Sequence, residues 1–222
     1  MLFPVRTDFS SRCHLQLLIT TGLWIMPRDN LHMTALEITH SKTAAEIDAL
    51  VEQLRPALEE VTDYTFKHRA RVVKPMITYD AQAMALSYLP AAGESLPAGR
   101  AAEDDAYSYH HLRRDLYDIA SKHVKVDSRY VVPSAHLTIG RFIYADEFET
   151  KEGKFDAERM QRLIEVIEQT NRWLKEEFWP KDGQEIKEGG QWIVGEGKGL
   201  DHRSGALWYG GGGQTVRLGR GF

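Results

Sequence analysis

The stretch VPSAHLTIGRF, from Val132 to Phe142, is a short apolar run that contains one histidine and one threonine. The stretch DNLHMTALEI, from Asp29 to Ile38, repeats the order of histidine, apolar residue, threonine and further apolar residues. Short runs rich in apolar and β-branched residues are typical of strands. The sequence therefore predicts two strands, one early and one late in the chain, that each carry a His-x-Thr triplet.

The first triplet is followed by a helix and then by a hairpin. Thr43 and Glu46 have the spacing of a capping box, and apolar residues then recur at helical spacing. These residues are Ile47, Leu50, Val51, Leu54, Leu58 and Val61. Pro56 is expected to kink or divide this helix. The segments ARVVKPMITYD and QAMALSYLP predict two strands that are joined by a tight turn near Asp80.

The second triplet is followed by a similar order of elements. The loop AAGESLPAGRAAEDD is the best candidate for a hinge, and a helix from Ala102 to His123 leads to the second strand, His136 to Tyr144. Asp156 can cap a further amphipathic helix, and GGQWIVGEG, ALWYGGG and QTVRLGRGF close the chain as short strands. This order predicts an internal duplication. It gives one domain over 1–222, with approximate halves 13–100 and 101–222 that each hold one triplet.

The composition limits the class of protein. The net charge of −4 argues against a chain that is held to nucleic acid by bulk electrostatics, while a small anionic substrate fits it. Cys13 is the only cysteine, so no internal disulfide can form, and a reducing compartment, cytoplasmic or nuclear, is expected. No stretch approaches the ~18–20 apolar residues of a membrane span. The apolar segment Leu15 to Met26 predicts a buried strand or strand pair. The chain is expected to be a monomer.

The triplets carry the chemistry that acid–base catalysis needs. Residues i and i+2 of a strand face the same side, so His32 points with Thr34, and His136 with Thr138. If the two strands meet at one cleft, the site holds two imidazoles and two hydroxyls. A neutral imidazole can accept a proton while an imidazolium donates one. The hydroxyls can donate hydrogen bonds to the oxygens of a phosphate ester between them.

Two His-x-Thr triplets, each on a strand and each followed by apolar residues, resemble the motifs of the two-histidine (2H) phosphoesterase superfamily. That superfamily includes 2′-5′ RNA ligase-like proteins and cyclic phosphodiesterases that act on 2′,3′-cyclic phosphates. The resemblance covers the chain from about Trp24 to its end. It implies that His32 and His136 are the catalytic acid/base pair. Thr34 and Thr138 would then hold the phosphate, and neither a metal nor another cofactor would take part.

For the fold, the resemblance implies an α+β domain of two pseudo-symmetric lobes, each an antiparallel sheet with outer helices, around a central cleft. Members of the family place a strand and a helix before the first motif, whereas only thirty-one residues precede His32. A first lobe that is incomplete at its N-terminus is therefore expected. The implied activity is metal-independent hydrolysis of a 2′,3′-cyclic phosphate on a nucleotide or an RNA end. The sequence leaves open which histidine is the acid and whether the product is a 2′- or a 3′-phosphate.

Three other functions stay open at this stage. The cleft can bind a nucleotide or an RNA end without turning it over. It can also serve a different reaction: 3′-end RNA trimming, cleavage of 2′-5′ linkages or opening of cyclic ADP-ribose phosphate. A metal-dependent hydrolase is the third, and the sequence argues against it because it contains no HExxH, no CxxC and no clustered His/Asp ligand set.

Four further residues lie on or near the predicted elements of the site. Phe142 shares strand parity with His136 and is expected to contact the substrate. Arg141 has the opposite parity, so a phosphate-binding role for it requires a local twist of the strand. His110 and His111 are adjacent on a helix and point about 100° apart, which excludes a helical metal pair and favours surface positions.

Overall fold

The computed structural model describes residues 22–129, 134–144, 148–150, 152–206 and 213–222. The strands in these ranges are β1 (Leu23–Ile25), β2 (Arg71–Tyr79), β3 (Ala83–Pro90), β4 (Ala135–Phe142), β5 (Gln191–Ile193), β6 (Asp201–Ser204) and β7 (Gln214–Leu218). The α-helices are α1 (Ala44–Leu54), α2 (Leu58–Asp63), α3 (Tyr109–Ala120) and α4 (Ala157–Phe178). Antiparallel strands with separate helices confirm the predicted α+β class.

Five strands form one antiparallel sheet in the order β1-β4-β3-β2-β5, and β6 pairs with β7 in a second, small sheet. Strand β4 belongs to the predicted second half of the chain, yet it lies between β1 and β3 of the first half. The two halves therefore share one sheet within the described residues, and the predicted pseudo-symmetric lobes are not confirmed.

The large sheet has one face covered by helices and one open face. Along β3, Met84 and Leu86 pack into a hydrophobic cluster with α4, and Tyr88 packs against a second cluster that contains residues of α1, α2 and α3. The alternate residues Ala85 and Ser87 point the other way, because successive side chains of a strand face opposite sides. One-sided packing of this kind is typical of antiparallel sheets. The face that carries Ala85 and Ser87 is called the open face below.

The helices begin and end where local signals in the sequence predict. The Thr43 hydroxyl accepts the Glu46 N–H, and the Glu46 carboxylate accepts the Thr43 N–H, which completes the capping box of α1. Pro56 lies in a 3-10 turn between α1 and α2, so the helix is divided there. Asp156 accepts the N–H of Arg159 at the start of α4. None of the helices in the described ranges is both long enough and apolar enough to cross a membrane.

Some segments differ from the sequence-based expectation. The helix predicted from Ala102 to His123 is instead a 3-10 turn, Ala102–Ala106, followed by the shorter α3. The sequence predicts no strand at β6, because DHRS lacks the apolar residues typical of a strand. Of the predicted strand or strand pair from Leu15 to Met26, β1 is present and is only partly buried, while residues 15–21 lie outside the described part. Most of ALWYGGG lies outside it as well.

The predicted hinge, Ala91 to Asp105, is tied to the large sheet by a buried ion pair. The Asp105 carboxylate lies 2.6 Å from Nη2 of Arg71 on β2, and both side chains are 0% exposed. Nε of Arg100 donates to the same carboxylate at 2.9 Å, and the Gly93 N–H donates at 2.9 Å. Because a buried charge requires its partners to stay in place, this loop is anchored at its C-terminal end.

Candidate active site

The segment that carries the first triplet runs antiparallel to β4, which carries the second. Strand β1 pairs with the C-terminal part of β4. Further along the same segment, Met33 forms an antiparallel bridge with Leu137. Met33 packs against the helix-covered cluster, so the residues on either side of it point to the open face. The bridge brings together two triplets that are far apart in the chain.

The register of this bridge sets the relative positions of the four predicted site residues. Antiparallel partners count in opposite directions, so His32 lies opposite Thr138, and Thr34 lies opposite His136. His32 and His136 are then diagonal neighbours, which in antiparallel sheets are about 7–8 Å apart. This separation leaves room for a phosphate group between the two imidazoles, with a hydroxyl beside each.

A cleft of about 470 Å³ opens on the same face. His136 and Thr138 line one side of it, and their cross-strand partners Ser87 and Ala85 form its floor. The cleft continues to β2, and residues at the start of α3 line it as well. The first triplet borders this cleft and is not part of its lining. A ligand in the cleft would therefore reach the second triplet directly and the first triplet at its edge.

His32 is oriented by the chain that precedes it. It follows the 3-10 turn Arg28–Asn30, and its Nδ1 lies 2.7 Å from the carbonyl oxygen of Asn30. A carbonyl only accepts hydrogen bonds, so Nδ1 carries a hydrogen, and the neutral ring holds its lone pair on Nε2. Because the side chain is exposed, Nε2 can exchange a proton with a bound substrate.

His136 is held as a neutral imidazole. Its Nδ1 lies 2.9 Å from the hydroxyl of Ser134. Burial is the main cause that lowers the pKa of His136 below its usual value of 6.5, and a hydrogen bond with the backbone of Ser134 opposes it. Positive charges on three neighbours lower the pKa further: Arg113, His32 and Arg141. His136 is therefore mostly neutral near pH 7 and can accept a proton.

Helix α3 fixes the position of the first triplet. The carbonyl oxygen of Thr34 accepts a hydrogen bond from the Tyr109 hydroxyl at 2.9 Å and another from Nη1 of Arg113 at 3.1 Å. Tyr109, the first residue of α3, is itself fully buried in the core. Arg113 thus acts on both triplets, since it binds the backbone of the first and its charge lowers the pKa of His136 in the second.

A β-bulge in β4 changes the direction in which the later residues of the strand point. The register against β3 shifts between Thr138 and Gly140, so that Ile139 is an extra residue. Beyond the bulge, Arg141 lies opposite Ala83, whose neighbours on the open face line the cleft. The bulge supplies the local twist that a phosphate-binding role for Arg141 requires. In a regular strand Arg141 would face away from His136, and the bulge reverses that direction.

The same bulge moves Phe142 away from the four site residues. Phe142 packs against the cluster formed with α4, and its ring meets that of Phe148 edge-on, with 5.9 Å between the centroids. The expected contact of Phe142 with the substrate does not fit this position. Its shared parity with His136 would hold only if β4 were regular between the two residues.

The first turn of α3 places His110 at the cleft. The sequence favoured a surface position, and the residue is exposed, but it lies among the residues that line the cleft. Leu112, Leu116 and Ile119 indicate which side of this helix is buried. They do not indicate what its N-terminus faces, so the sequence contains no direct signal for this placement.

Within the described part of the chain, no group of three or more histidine, cysteine, aspartate or glutamate side chains is arranged so that it could hold a metal ion. Comparisons of the chain with protein-family models, with curated proteins and with solved structures give no match. A function is therefore inferred from the residues of the site and their geometry.

Arg113→Met is expected to raise the pKa of His136, because it removes a positive charge that disfavours the imidazolium. The imidazole signals of His136, followed by NMR as a function of pH, should titrate at higher pH in the variant than in the wild type. Arg114→Met is the matched control, since Arg114 is largely exposed and pairs with Asp115. A His136 titration that is the same in Arg113→Met and the wild type would contradict the electrostatic role of Arg113.

Proposed function

We propose that this protein is a metal-independent phosphodiesterase of the two-histidine type, which hydrolyses the 2′,3′-cyclic phosphate of a nucleotide or an RNA end. The observation that carries the proposal is the bridge between Met33 and Leu137. It supports a site in which two imidazoles and two hydroxyls meet on one face of a sheet. Hydrolysis of a phosphate diester needs such a set: a base, an acid and donors to the charged oxygens.

In the proposed mechanism, neutral His136 is the general base and the imidazolium of His32 is the general acid. His136 takes a proton from a water molecule while the water oxygen forms a bond to phosphorus. The bond from phosphorus to one ribose oxygen breaks, and His32 transfers its Nε2 proton to that oxygen. The product is a nucleoside 2′- or 3′-phosphate. Proton exchange with solvent then returns both histidines to their starting states.

The other polar groups of the site act on the phosphate oxygens. The hydroxyls of Thr34 and Thr138 donate hydrogen bonds to the non-bridging oxygens, whose negative charge grows in the transition state. The guanidinium of Arg141 lies on the same face and adds positive charge near them. These groups also hold phosphorus between the two histidines, which makes the reaction effectively intramolecular.

We also infer that the two triplets belong to a duplicated strand–helix unit. The support is the order of elements: α1 begins at the Thr43 cap after the first triplet, and α4 begins at the Asp156 cap after the second. An experimental structure tests this inference. The two units should superpose with His32 on His136, and a failure of the helices to superpose would contradict the duplication.

The test of the proposed function is product formation from 2′,3′-cyclic AMP and 2′,3′-cyclic UMP in the presence of EDTA. We expect turnover to a nucleoside monophosphate, whose isomer shows which ester bond breaks. Binding of these nucleotides without turnover would favour the binding module. Turnover of an RNA end but not of the mononucleotides would favour RNA-end processing. Activity that appears only on addition of a metal ion would overturn the proposal.

Thr138→Val is expected to lower kcat/KM for 2′,3′-cyclic AMP by about 10–100-fold, because a hydrogen bond to a charged group contributes about 1.5–3 kcal/mol. Valine keeps the shape and the strand preference of threonine and removes only the hydroxyl. Thr34→Val should give a loss of similar size. Thr215→Val, in the small sheet, is the control and should keep the wild-type kcat/KM. An unchanged value in both site variants would show that the hydroxyls do not hold the phosphate.

A further inference from the structure

The floor of the cleft is built from unusually small side chains. On β3, Ala83, Ala85 and Ser87 line the cleft, whereas the alternate residues Met84 and Leu86 are large and face α4. Strands usually carry β-branched or aromatic residues, which fill the space above the pleated surface. Side-chain size is thus divided between the two faces of this strand, and the open face is left with room above it.

This floor starts at the second triplet and leads away from it. Thr138 pairs with Ala85, and Ala85 pairs with Thr78 on β2, so the three residues form one row across three strands. Two strand spacings correspond to about 9.5 Å. A ligand whose phosphate lies at His136 and Thr138 would therefore extend over Ala85 toward β2 by about the length of a nucleoside.

We propose that this floor is the nucleobase subsite of the enzyme, in which the base lies flat on Ala85 while the cyclic phosphate lies between the histidines. The inference rests on the proposed function for the position of the phosphate. It identifies the substrate as a single nucleotide unit that is recognised through its base, either free or at the end of an RNA. A base is planar, and the side chains of Ala83 and Ala85, which end at Cβ, accept its face without a clash.

The groups around the floor are of the kinds that contact a base: hydroxyls that can bond to its polar edge and apolar side chains that can pack on its faces. The hydroxyls of Thr78 and Ser87 lie 2.6 Å apart, so one donates to the other, and the second hydroxyl can still donate to an acceptor on a ligand. Tyr79 and Leu89, each 45% exposed, line the same cleft. This combination of apolar walls and a few placed polar groups is typical of small-molecule sites.

The central test is Ala85→Leu, which fills the floor and leaves the two triplets unchanged. The probes are 2′,3′-cyclic AMP and the base-free methyl riboside 2′,3′-cyclic phosphate. We expect KM for 2′,3′-cyclic AMP to rise by about 10–100-fold, the scale on which a pocket discriminates by shape, and KM for the base-free probe to rise far less. Ala49→Leu, at an exposed position of α1, is the matched control. Equal losses on both probes, or no loss on either, would overturn the proposal.

A second variant covers the case in which Ala85→Leu does not fold. Ser87→Ala introduces no atoms that can clash, and it removes one hydroxyl of the pair at the floor. We expect it to change the ratio of kcat/KM for 2′,3′-cyclic AMP over 2′,3′-cyclic UMP, because the two bases present different edges to that pair. An unchanged ratio would show that the hydroxyls of Thr78 and Ser87 do not discriminate between the bases.

Binding of 2′-AMP, measured by calorimetry, tests the base subsite independently of the proposed hydrolysis. If the wild type binds 2′-AMP and Ala85→Leu does not, the subsite stands even if no cyclic phosphate is hydrolysed. If the wild type turns over 2′,3′-cyclic AMP and Ala85→Leu keeps its KM, the function stands and the subsite is refuted. A wild type that binds no 2′-AMP refutes the subsite as well.

Discussion

His136→Ala is expected to lower the turnover of 2′,3′-cyclic nucleotides by about 10²–10⁴-fold, the loss that follows removal of one positioned acid or base. The fold should be retained, because His136 is partly exposed on the open face and lies outside both hydrophobic clusters. The measurement is the initial rate of product formation at neutral pH. Circular dichroism and thermal melting should match the wild type and show that the loss is catalytic.

His32→Ala should cause a loss of similar size, but for a different reason. In the proposed mechanism His32 protonates the leaving oxygen, and a p-nitrophenolate leaves without a proton. On a deoxynucleotide p-nitrophenyl ester, His32→Ala should therefore recover most of the wild-type rate, while His136→Ala should not. Recovery by His136→Ala instead would exchange the two roles.

The pH profile gives an independent check of which histidine is the base. The pKa of His136 lies below 6.5, chiefly because the ring is buried. A base with a lowered pKa stays neutral in mildly acidic solution, so the fall of the wild-type kcat/KM on the acidic side of its pH profile should lie below pH 6.5. His123→Ala, at an exposed position just after α3, is the control for histidine removal. Near-normal turnover in a folded His136→Ala protein would refute the mechanism.

The sequence predicts well those features that depend on neighbouring residues. Thr43 and Glu46 cap α1 because they are three residues apart, and Pro56 divides the helix because a proline lacks the N–H that a helix interior needs. Asp80 forms the hairpin turn, with its carboxylate accepting the N–H groups of Gln82 and Ala83. Each of these interactions is decided within a few residues, so the local sequence contains the information.

The bulge at Ile139 shows what the sequence alone could not provide. It arises from the pairing of β4 with β3, which lie in different halves of the chain. The sequence of β4 does not encode its register against a partner strand. The alternation of side chains between the two faces therefore holds only as far as Thr138. Regular strand parity therefore agrees with the observed pairing at His136 and Thr138 and differs from it at Arg141 and Phe142.

The sequence also does not predict that both halves of the chain contribute strands to one sheet. Repeated triplets indicated that two strands carry the same chemistry, but not that both would lie in one sheet. That result depends on the bridge of Met33 to Leu137, a long-range contact that no local pattern encodes. The position of the first turn of α3, which brings His110 to the cleft, has the same origin in long-range packing.

Asp105→Ala is expected to destabilise the fold by about 3–5 kcal/mol, the cost of leaving a buried charge without its partner. The charge left behind is that of Arg71, whose side chain is 0% exposed, with Arg100 at the rim of the same carboxylate. For a chain of this length the loss corresponds to a fall in Tm of about 6–20 °C. Differential scanning calorimetry at neutral pH is the measurement.

The same ion pair should make stability depend on pH in acid. Burial by itself would raise the pKa of Asp105, but hydrogen bonds from Arg71, Gly93 and Arg100 outweigh it and hold the pKa below its usual value of 3.8. A carboxyl whose pKa is lower in the folded state contributes stability above its unfolded pKa and loses it as pH falls through the folded one. The Tm difference between wild type and Asp105→Ala should therefore be constant near neutral pH and should shrink below about pH 4.

Two further variants separate the ion pair from the loop that carries it. Glu103→Ala, at an exposed position of the same 3-10 turn, should melt with the wild type. Asp105→Asn keeps the shape and one acceptor oxygen but loses the charge, so its Tm should lie between those of wild type and Asp105→Ala. If Asp105→Ala melts like Glu103→Ala, the 91–105 loop is not anchored by this pair and its interpretation as a hinge returns. A large loss instead means that the ion pair anchors the loop to Arg71 at the start of β2.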